Sequence, residues 1–492
     1  MKKVLFVIAS ITFGLCACNK VEVPSTETPE APVVVYHMSI PASFDAQTKG
    51  VTFDVDGIHI STQFETTDKI YVYNETKDAF ARDASDSYNL QALSPSAISG
   101  SKTSCALTGD LTFFDDNDDP VTVEVGDTYS LFYQMNEPNT YSNPVFDYTL
   151  QDASSSSASD CDFAMVQNVA MTLDGGTLSV PEGVVFSNMQ SMFRQNLSFT
   201  GEDTNPVTPL GFTNLIVSTR NKTLVPYTFF YASSNSFDYN REIFSIEDPD
   251  ITDGNVFLSL KFEYDGEYPC AEDKLVLYVR DNVGNTYRGI KNAPSSGFAM
   301  SKYYHGNMSL SWLTKNTKPA VTRNDGGDDD EVTYPTDFRW DDNLLDIYEG
   351  TSTTNITIDG NSTDYRLWLN VEDGTVRLSG SGTAYYFEKN PFIVCDDGLT
   401  IVLESDYSII CPNNNRAINT DSGNLLLAAD GGEKHLTVTV NSKDNAGLYG
   451  DDNYDNGGDP SALAAPGFTV TRSAMTDNED GTYTWVYTVA PE

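Results

Sequence analysis

Basic residues are scarce in this chain, which has 29 Lys and Arg against 71 Asp and Glu over 492 residues and a formal net charge of −42. Nucleic acids and anionic membrane surfaces bind through basic patches that displace counterions, so the charge argues against both as partners. Histidine is also rare, with 4 scattered residues, and the sequence has no CxxC, P-loop or GxSxG pattern. We therefore expect no cofactor and no catalytic site, although a Ser-His-Asp site does not need adjacent residues.

A convincing helical stripe is missing between residues 38 and 313. Short alternating runs occur there instead, separated by Gly, Asn, Asp, Ser and Pro; examples are Lys69–Tyr73, Tyr129–Tyr133 and Lys274–Val279. A period of two with frequent turn residues is typical of antiparallel sandwiches. The stretch is too long for one small sandwich, so two are predicted, over residues 37–180 and 181–314.

The N-terminus carries an export signal. Two lysines precede the apolar run Val4–Phe13, and small residues follow as far as Cys18. The end of this segment, Leu-Cys-Ala-Cys, resembles the bacterial lipobox, which implies that Cys18 is lipidated and becomes the mature N-terminus. An ordinary cleaved signal with an incidental cysteine is the alternative. We expect a signal peptide over residues 1–17, a Pro- and Glu-rich tether over 18–36, and a location at the outer membrane.

Five cysteines remain beyond the signal region, and because five is odd at least one must be free. Two disulfides are conceivable, Cys105–Cys161 and Cys395–Cys411. Buried free thiols are the favoured interpretation for most of the five. The cysteines are Cys105, Cys161, Cys270, Cys395 and Cys411.

An acidic stretch with Pro and Gly over residues 315–335 is predicted to be an interdomain linker, followed by a β domain over residues 336–492. In this domain the turn dipeptides Asp373-Gly374, Asp397-Gly398 and Ser422-Gly423 recur at spacings of 24 and 25 residues.

Three predicted strands accompany each dipeptide, which gives three repeats between about residues 365 and 440. Stacked repeats of this kind are typical of a short parallel β-solenoid, and a succession of hairpins in a third sandwich is the alternative. Flanking segments, Phe338–Ile347 and Phe468–Val489, are expected to cap the stack. The nine predicted strands are Leu367–Leu369, Thr375–Leu378, Ala384–Phe387, Phe392–Val394, Leu399–Leu403, Tyr407–Ile410, Ala417–Ile418, Asn424–Ala428 and Leu436–Val440.

Three stretches carry a likeness to a known family: Thr67–Tyr73 (TDKIYVY), Val184–Phe199 (VVFSNMQSMFRQNLSF) and Tyr303–Leu310 (YYHGNMSL). Because of their order, residues 38–313 resemble the fimbrillin family of Bacteroidetes lipoproteins. Residues 365–440 also resemble repeat-built surface domains of the same bacteria, some of which are carbohydrate-binding. The resemblance implies two transthyretin-like sandwiches and a part in cell-surface adhesion.

In fimbrial members of that family, a protease that cuts after Arg removes an N-terminal strand, and a strand of another subunit fills the groove. The first arginine of this chain is Arg82, which makes it the candidate site of proteolytic maturation. Cleavage there would remove more than one strand, because Arg82 follows the Lys69–Tyr73 strand. A tip or accessory subunit is therefore expected rather than a stalk subunit.

The expected fold is all-β, with two tandem transthyretin-like or Ig-like sandwiches followed by a short parallel β-solenoid-like domain. The expected function is non-enzymatic adhesion or fimbrium assembly at the cell surface. Its partners would be other fimbrial subunits or surface ligands, glycans among them. The alternatives are polysaccharide capture by a glycan-binding lipoprotein and hydrolysis of glycosides by a pair of carboxylates.

Two groups of side chains are candidates for ligand contact. Aromatic rings of the C-terminal domain can stack on the apolar face of a sugar. Acidic clusters can bind calcium, although solvated acidic turns are the favoured interpretation. The aromatic candidates are Trp340, Trp368, Trp485, Tyr385 and Tyr386, and the acidic clusters are residues 115–119, 325–330 and 451–457.

Overall fold

The computed structural model describes residues 33–492 apart from 45–51, 54–59, 62–63, 84–85, 116, 134–144, 221–222, 225–226, 232–235, 241–243, 264–271, 300, 324–337, 342–343, 348–353, 370–372, 389 and 456. The fold is all-β, as predicted. Its described helices are α1 (Ser155–Asp160) and the 3-10 turns Tyr148–Leu150, Thr252–Gly254 and Pro460–Leu463. None of these described helices has the length and apolar character needed to cross a membrane.

The strands of the N-terminal module are β1 Tyr36–Phe44, β2 Thr52–Phe53, β3 Ile60–Ser61, β4 Ile70–Asn74, β5 Ala79–Asp83, β6 Asp86–Leu90, β7 Ala92–Ser96, β8 Ser104–Leu111, β9 Phe113–Phe114, β10 Thr128–Tyr133, β11 Val145–Asp147, β12 Ala164–Ala170, β13 Thr172–Asp174, β14 Thr177–Ser179 and β15 Val184–Asn188. Seven of them, in the order β10-β12-β15-β1-β8-β7-β4, form a ring that closes because β4 also pairs with β10. Within the ring, β1 is antiparallel to β8 and parallel to β15, and outside the ring it also pairs in parallel with β14.

Strand β4 is buried along its whole length. Ile70 and Val72 lie in the core inside the ring, whereas Tyr71 and Tyr73 lie in a second core that continues into the middle module. Successive side chains of a strand point to opposite faces, so both faces of β4 are covered. The alternation expected for Lys69–Tyr73 is therefore not observed, and this burial explains why apolar and aromatic residues follow one another from Ile70 to Tyr73.

The strands of the middle module are β16 Ser191–Thr200, β17 Pro206–Val207, β18 Phe212–Arg220, β19 Thr223–Leu224, β20 Tyr227–Tyr231, β21 Ser236–Asn240, β22 Phe244–Glu247, β23 Asn255–Leu260, β24 Phe262–Glu263, β25 Lys274–Asp281, β26 Asn285–Asn292 and β27 Tyr303–Lys315. Its main sheet has the order β17-β16-β27-β26-β25-β18-β22, and β23 also pairs with β16. Strands β16 and β27 are parallel neighbours over nine residue pairs, from Met192 opposite Tyr303 to Thr200 opposite Ser311.

The segment over residues 145–163 joins the first two modules. It contains β11, which pairs with β20 of the middle module. Phe163 lies between Phe146 and Tyr148, with ring centroids 5.3 and 5.1 Å apart, and all three rings belong to the shared core. Within this segment α1 forms because the Ser154 side chain accepts the backbone N–H of Ser157 and caps the turn.

The boundary between the first two modules differs from the one predicted at residues 180 and 181. Strand β15 pairs in parallel with β1, and Val184 lies opposite Ala42, so residues 184–188 belong to the N-terminal module. The middle module starts with β16 at Ser191. An alternating pattern marks a strand but does not specify its partner, which is why the sequence placed this boundary too early.

The strands of the C-terminal module are β28 Ala320–Arg323, β29 Phe338–Asp341, β30 Leu344–Ile347, β31 Thr354–Asp359, β32 Ser362–Thr363, β33 Arg366–Leu369, β34 Asp373–Ser379, β35 Thr383–Tyr385, β36 Ile393–Cys395, β37 Gly398–Leu403, β38 Tyr407–Cys411, β39 Arg416–Thr420, β40 Leu425–Ala429, β41 Lys434–Val440, β42 Gly447–Tyr449, β43 Phe468–Arg472, β44 Thr476–Asp477 and β45 Tyr483–Pro491. Three sheets run through this module, in the orders β28-β31-β34-β37-β40, β29-β30-β33-β36-β39-β42 and β32-β35-β38-β41-β45-β43.

Each predicted repeat contributes one strand to each of these three sheets. Strands of successive repeats pair in parallel, for example Thr375 with Thr400 and Ile393 with Ile418. The inward side chains form one apolar core along the module. At the two ends the pairing becomes antiparallel, between β29 and β30 and between β41 and β45, which are the segments expected to cap the stack.

Part of the predicted linker forms a strand. Residues 320–323 form β28, which pairs with β31, and Val321 packs against the C-terminal core. The described connection between β27 and β28 is therefore only residues 316–319. This strand was not predicted, because one partly buried Val among mostly polar neighbours gives little alternation of apolar and polar residues.

Candidate binding cleft between the middle and C-terminal modules

One face of the middle sheet meets the C-terminal module. Along β25, Leu277 and Val279 lie in the core of the middle module. Val276 and Tyr278 point the other way and form a small apolar cluster with Phe387 of the C-terminal module. Both faces of β25 are therefore buried, as in β4, and this strand positions the residues at the junction.

An acidic hairpin of the C-terminal module, residues 476–484, lies against this face. It is formed by the pairing of β44 with β45. Its turn contains Gly481 with φ of 89°, and a Cβ at this position would lie 2.9 Å from the backbone oxygen of Thr219. Both the left-handed backbone and the close approach require glycine here.

Four ion pairs among the described residues join the two modules, and in these four the cation lies on the middle module and the acid on the C-terminal module. Asp480 is only 4% exposed, so its charge depends on its partner. Burial lowers the pKa of Arg280, an effect that nearby Glu388 partly offsets. The described pairs are Arg220–Asp477 at 2.7 Å, Lys274–Glu479 at 3.5 Å, Arg280–Asp364 and Arg288–Asp480.

A cleft of about 280 Å³ opens beside these pairs, and its floor is aromatic. The rings of Tyr385 and Phe387 are nearly parallel, 11° apart, with centroids 6.2 Å apart. The ring of Tyr278 lies 5.1 Å from that of Phe387. Because side chains alternate along and after β35, Tyr386 points into the core. Asn413 Nδ2 donates to the Phe387 carbonyl at 2.7 Å and so fixes the backbone beneath the aromatic floor of the cleft.

Polar groups form the other wall of the cleft. Asp480 Oδ1 accepts the backbone N–H and the hydroxyl of Thr482 at 2.9 and 2.6 Å, and Oδ2 pairs with Arg288. Asn478 lies at the rim and donates from Nδ2 to Thr482 Oγ1 at 3.0 Å, so its amide oxygen remains an acceptor. Burial raises the pKa of Tyr385, and the positive charge of Arg288 lowers it in part.

The wall thus offers donors and acceptors with little net charge. Asp480 is the only carboxylate among the described lining residues. Hydrolysis of a glycoside by a carboxylate pair needs a second acid, which these lining residues do not supply.

Of the predicted sugar contacts whose side chains are described, Tyr385 alone lines the cleft. Trp485 and Tyr386 are buried in the core of the C-terminal module. Trp368 is half-buried on a different sheet of that module. Trp340 belongs to β29, but its side chain lies outside the described residues.

Cys18 lies outside the described residues, so its lipidation stays a prediction. Arg82 is part of β5, its side chain is 2% exposed, and its guanidinium lies 3.0 Å from Asp118. The bond after Arg82 lies in the part of β5 that pairs with β6, with Arg82 opposite Leu90, so a protease would need this strand to leave the sheet. Cleavage at this position also stays a prediction.

The acidic clusters that are described take part in local structure. Asp115 accepts two backbone N–H groups of its own turn, at 2.8 and 3.0 Å. Asn453 donates to the backbone oxygens of Leu425 and Ala462 at 2.9 and 2.7 Å. Residues 325–330 lie outside the described part, and the described residues contain no group of three acidic, His or Cys side chains placed to hold a metal.

The described cysteines are free and buried, in agreement with the favoured interpretation. Neither conceivable disulfide is formed between them. Burial raises the pKa of the Cys105, Cys161 and Cys411 thiols to about 12, which makes them poor nucleophiles at neutral pH. The four cysteines are Cys105, Cys161, Cys395 and Cys411.

The polar wall of the cleft was not identified from the sequence. Arg288 and Asp480 are 192 residues apart, and the acidic hairpin has the composition of an ordinary solvated turn. A signal was present in β25, where Lys274 and Arg280 flank an apolar run. These two charges share one face with Val276 and Tyr278, so the run could have indicated a second covered face with charged ends.

Comparison with solved structures finds neighbours among fimbrial proteins. A fimbrial protein from Bacteroides ovatus matches at 10% identity with a TM-score of 0.23, over 59% of this chain and 52% of its own. A candidate adhesin from the same species matches at 9% identity and a TM-score of 0.26, over 62% of this chain and 100% of its own. A fimbrial protein from Bacteroides vulgatus matches at 10% identity and a TM-score of 0.23, over 56% and 98%.

This chain therefore spans about half the length of the first of these structures, with 52% of it covered. No protein-family model and no curated protein matches the sequence. The three structures named here are two fimbrial proteins and a candidate adhesin of Bacteroides.

Proposed function

We propose that this chain is a fimbrillin-like lipoprotein of the cell surface that acts in adhesion or fimbrium assembly, as a tip or accessory subunit. In this proposal residues 1–17 are removed, Cys18 carries the lipid, and residues 18–36 tether the modules to the outer membrane. In the proposed layout two sandwiches, the first of them closed into the seven-strand ring, precede a short β-solenoid, and their role is contact with subunits or surface ligands rather than catalysis.

The observation that carries the proposal is that the modules are joined by packed interfaces. The first joint is an aromatic core shared by the N-terminal and middle modules. The second combines ion pairs with an apolar cluster, and its connection is held by a 2.7 Å hydrogen bond from Asn316 N to the Gly284 carbonyl. Modules joined only by flexible linkers move independently, whereas packed ones hold a contact surface at a fixed distance from the anchor.

The assignment as a tip or accessory subunit is supported by two features. Removal of the chain through Arg82 would take both β1 and β4 from the seven-strand ring, which leaves more than one vacant strand position. Strand β45 is hydrogen-bonded on both sides, to β41 and β43, and is not available for donation to a neighbour. Both features disfavour a simple strand-exchange stalk.

The β-solenoid assignment is supported by the parallel pairing of strands from successive repeats in all three sheets. Each rung buries its inward apolar side chains against the next one, which is how such a stack is stabilised.

The anchor can be tested with Cys18→Ala in cells of the native host. We expect the variant to leave the outer-membrane fraction, and surface labelling and adhesion to fall with it. Cys16→Ala is the matched control, because it removes the neighbouring thiol of the same signal and should leave anchoring intact. Retention of the Cys18→Ala protein in the membrane, or a native pull-down without fimbrial subunits or any surface ligand, would contradict the proposal.

A further inference from the structure

We propose that the cleft between the middle and C-terminal modules binds one ring of a neutral saccharide, with Tyr385 as the stacking platform. This inference rests on the proposed role in adhesion and names the ligand class for one site. The site lies at the junction of the middle and C-terminal modules, so both modules must be docked for the ligand to bind.

The floor of the cleft fits the apolar face of a sugar ring. Tyr385 is half-buried, and the nearly parallel ring of Phe387 packs beside its ring and holds it in place. Asn413 in turn fixes the backbone of Phe387. An aromatic ring that is immobilised before binding loses little conformational entropy when a ligand stacks on it.

The dimensions of the cleft favour one ring over a chain. Its volume of about 280 Å³ lies just below the range of roughly 300–1,000 Å³ typical of sites that enclose drug-sized ligands. The remaining units of an oligosaccharide would extend into solvent, so we expect a terminal sugar to be the unit recognised.

The charges of the cleft favour a neutral ligand. Arg288 and Asp480 neutralise each other, while the whole chain has a net charge of −42 and repels polyanions. A cationic ligand would meet the guanidinium of Arg288. The Arg288–Asp480 pair and the amide oxygen of Asn478 instead match sugar hydroxyls, which can both donate and accept hydrogen bonds.

Binding should also stabilise the docked arrangement of the two modules. Tyr278 and Arg288 come from the middle module, whereas Tyr385, Asn478 and Asp480 come from the C-terminal module. A ligand that contacts both sides binds the docked state and not the separated one. By linkage it shifts the equilibrium towards the docked state.

The test uses the full processed chain and saturation-transfer NMR with the methyl glycosides of glucose, galactose, mannose and N-acetylglucosamine, and with methyl glucuronide as the anionic probe. We expect at least one neutral glycoside to bind and the glucuronide to bind more weakly. Tyr385→Ala should lower the affinity about tenfold, since it removes the platform, while Tyr385→Phe should retain binding. Trp368→Ala, a half-buried aromatic outside the cleft, is the matched control and should change nothing.

A second measurement tests the junction itself. Hydrogen exchange in the acidic hairpin should slow when the glycoside binds, and Arg288→Gln should reduce both this protection and the affinity. The proposal is overturned if no neutral glycoside binds, if the glucuronide binds best, or if Tyr385→Ala and Trp368→Ala weaken binding equally. Tyr385→Ala should still reach the cell surface, so failure of this inference is distinguishable from failure of the proposed function.

Discussion

The two joints of this molecule are built from opposite chemistry. The N-terminal and middle modules share an aromatic core that contains Tyr73, Phe146 and Phe163. The middle and C-terminal modules meet through cations on one side and acids on the other, with a small apolar cluster between them. The first joint depends on the removal of apolar surface from water, and the second depends largely on charge.

This difference predicts two kinds of behaviour. Salt does not screen the apolar contacts of a shared core. The two modules that share this core should therefore unfold together. A joint based on ion pairs responds to salt and to the loss of a single partner. The C-terminal module should therefore be the one that can detach while the rest stays folded.

The largest expected effect is at the apolar joint. Phe163→Ala removes a buried ring that contacts both Phe146 and Tyr148. The free energy of unfolding in urea should fall by about 3–5 kcal/mol, with the N-terminal and middle modules still unfolding in one transition. Leu210→Ala, at a position 94% exposed, should change it by no more than about 0.5 kcal/mol. Two separate transitions for these modules would disprove the shared core.

A somewhat smaller effect is expected at the ionic joint. Arg288→Met leaves the buried Asp480 without its cation, which should weaken docking of the C-terminal module by about 2–3 kcal/mol. This loss is smaller than the one expected for a fully buried ion pair, because Arg288 is partly exposed. Limited proteolysis should then cut the acidic hairpin faster. Lys102→Met breaks the exposed pair with Glu65 and serves as the control, with little effect expected. An unchanged rate of cutting in the Arg288 variant would count against an ionic joint.

Alkaline pH should weaken the apolar joint through Cys161. The thiol has a pKa of about 12 when folded, because burial disfavours the thiolate, against about 8.5 in an unfolded chain. The unfolded state therefore loses its proton first as the pH rises, so this stabilisation is complete below about pH 8.5 and is lost towards pH 12. Between pH 8 and 10 the wild type should lose up to about 2 kcal/mol more than Cys161→Ala in urea unfolding. Equal losses in the two proteins would show that folding does not raise the pKa of the Cys161 thiol, and would contradict its burial in the joint.

Salt should have the smallest effect, and only at the ionic joint. Raising NaCl from about 0.1 to about 1 M shortens the Debye length from about 10 to about 3 Å, which should weaken the partly exposed Lys274–Glu479 and Arg220–Asp477 pairs by about 1 kcal/mol or less in total. Hydrogen exchange in the acidic hairpin should speed up, while exchange around Phe163 should not. Faster exchange at both joints would remove the distinction between them.

The repeats of the C-terminal module could be predicted from the sequence because their strands recur with turn dipeptides. All nine strands are found, with ends shifted by a few residues. The pairing partners of strands in the first two modules could not be predicted. Val184–Asn188 has the same alternation whether it pairs with β1 or opens the next module, and α1 depends on one capping serine.

The cleft could be predicted only in part. Tyr385 was a candidate because an aromatic ring can stack on the apolar face of a sugar. The partners Arg288 and Asp480 lie on different modules, and only the docking of the modules brings them together. Long-range pairs of this kind leave no local pattern in the sequence.

The parallel pairing of β16 with β27 determines how the middle module responds to tension. The chain enters β16 at Ser191 from the N-terminal module and leaves β27 at Lys315 towards the C-terminal module. A pull applied between the N-terminal and C-terminal modules would drag these adjacent strands in opposite directions along their axes. All nine residue pairs between β16 and β27 would then be loaded in shear at the same moment. They would not be separated one after another from one end of the strands.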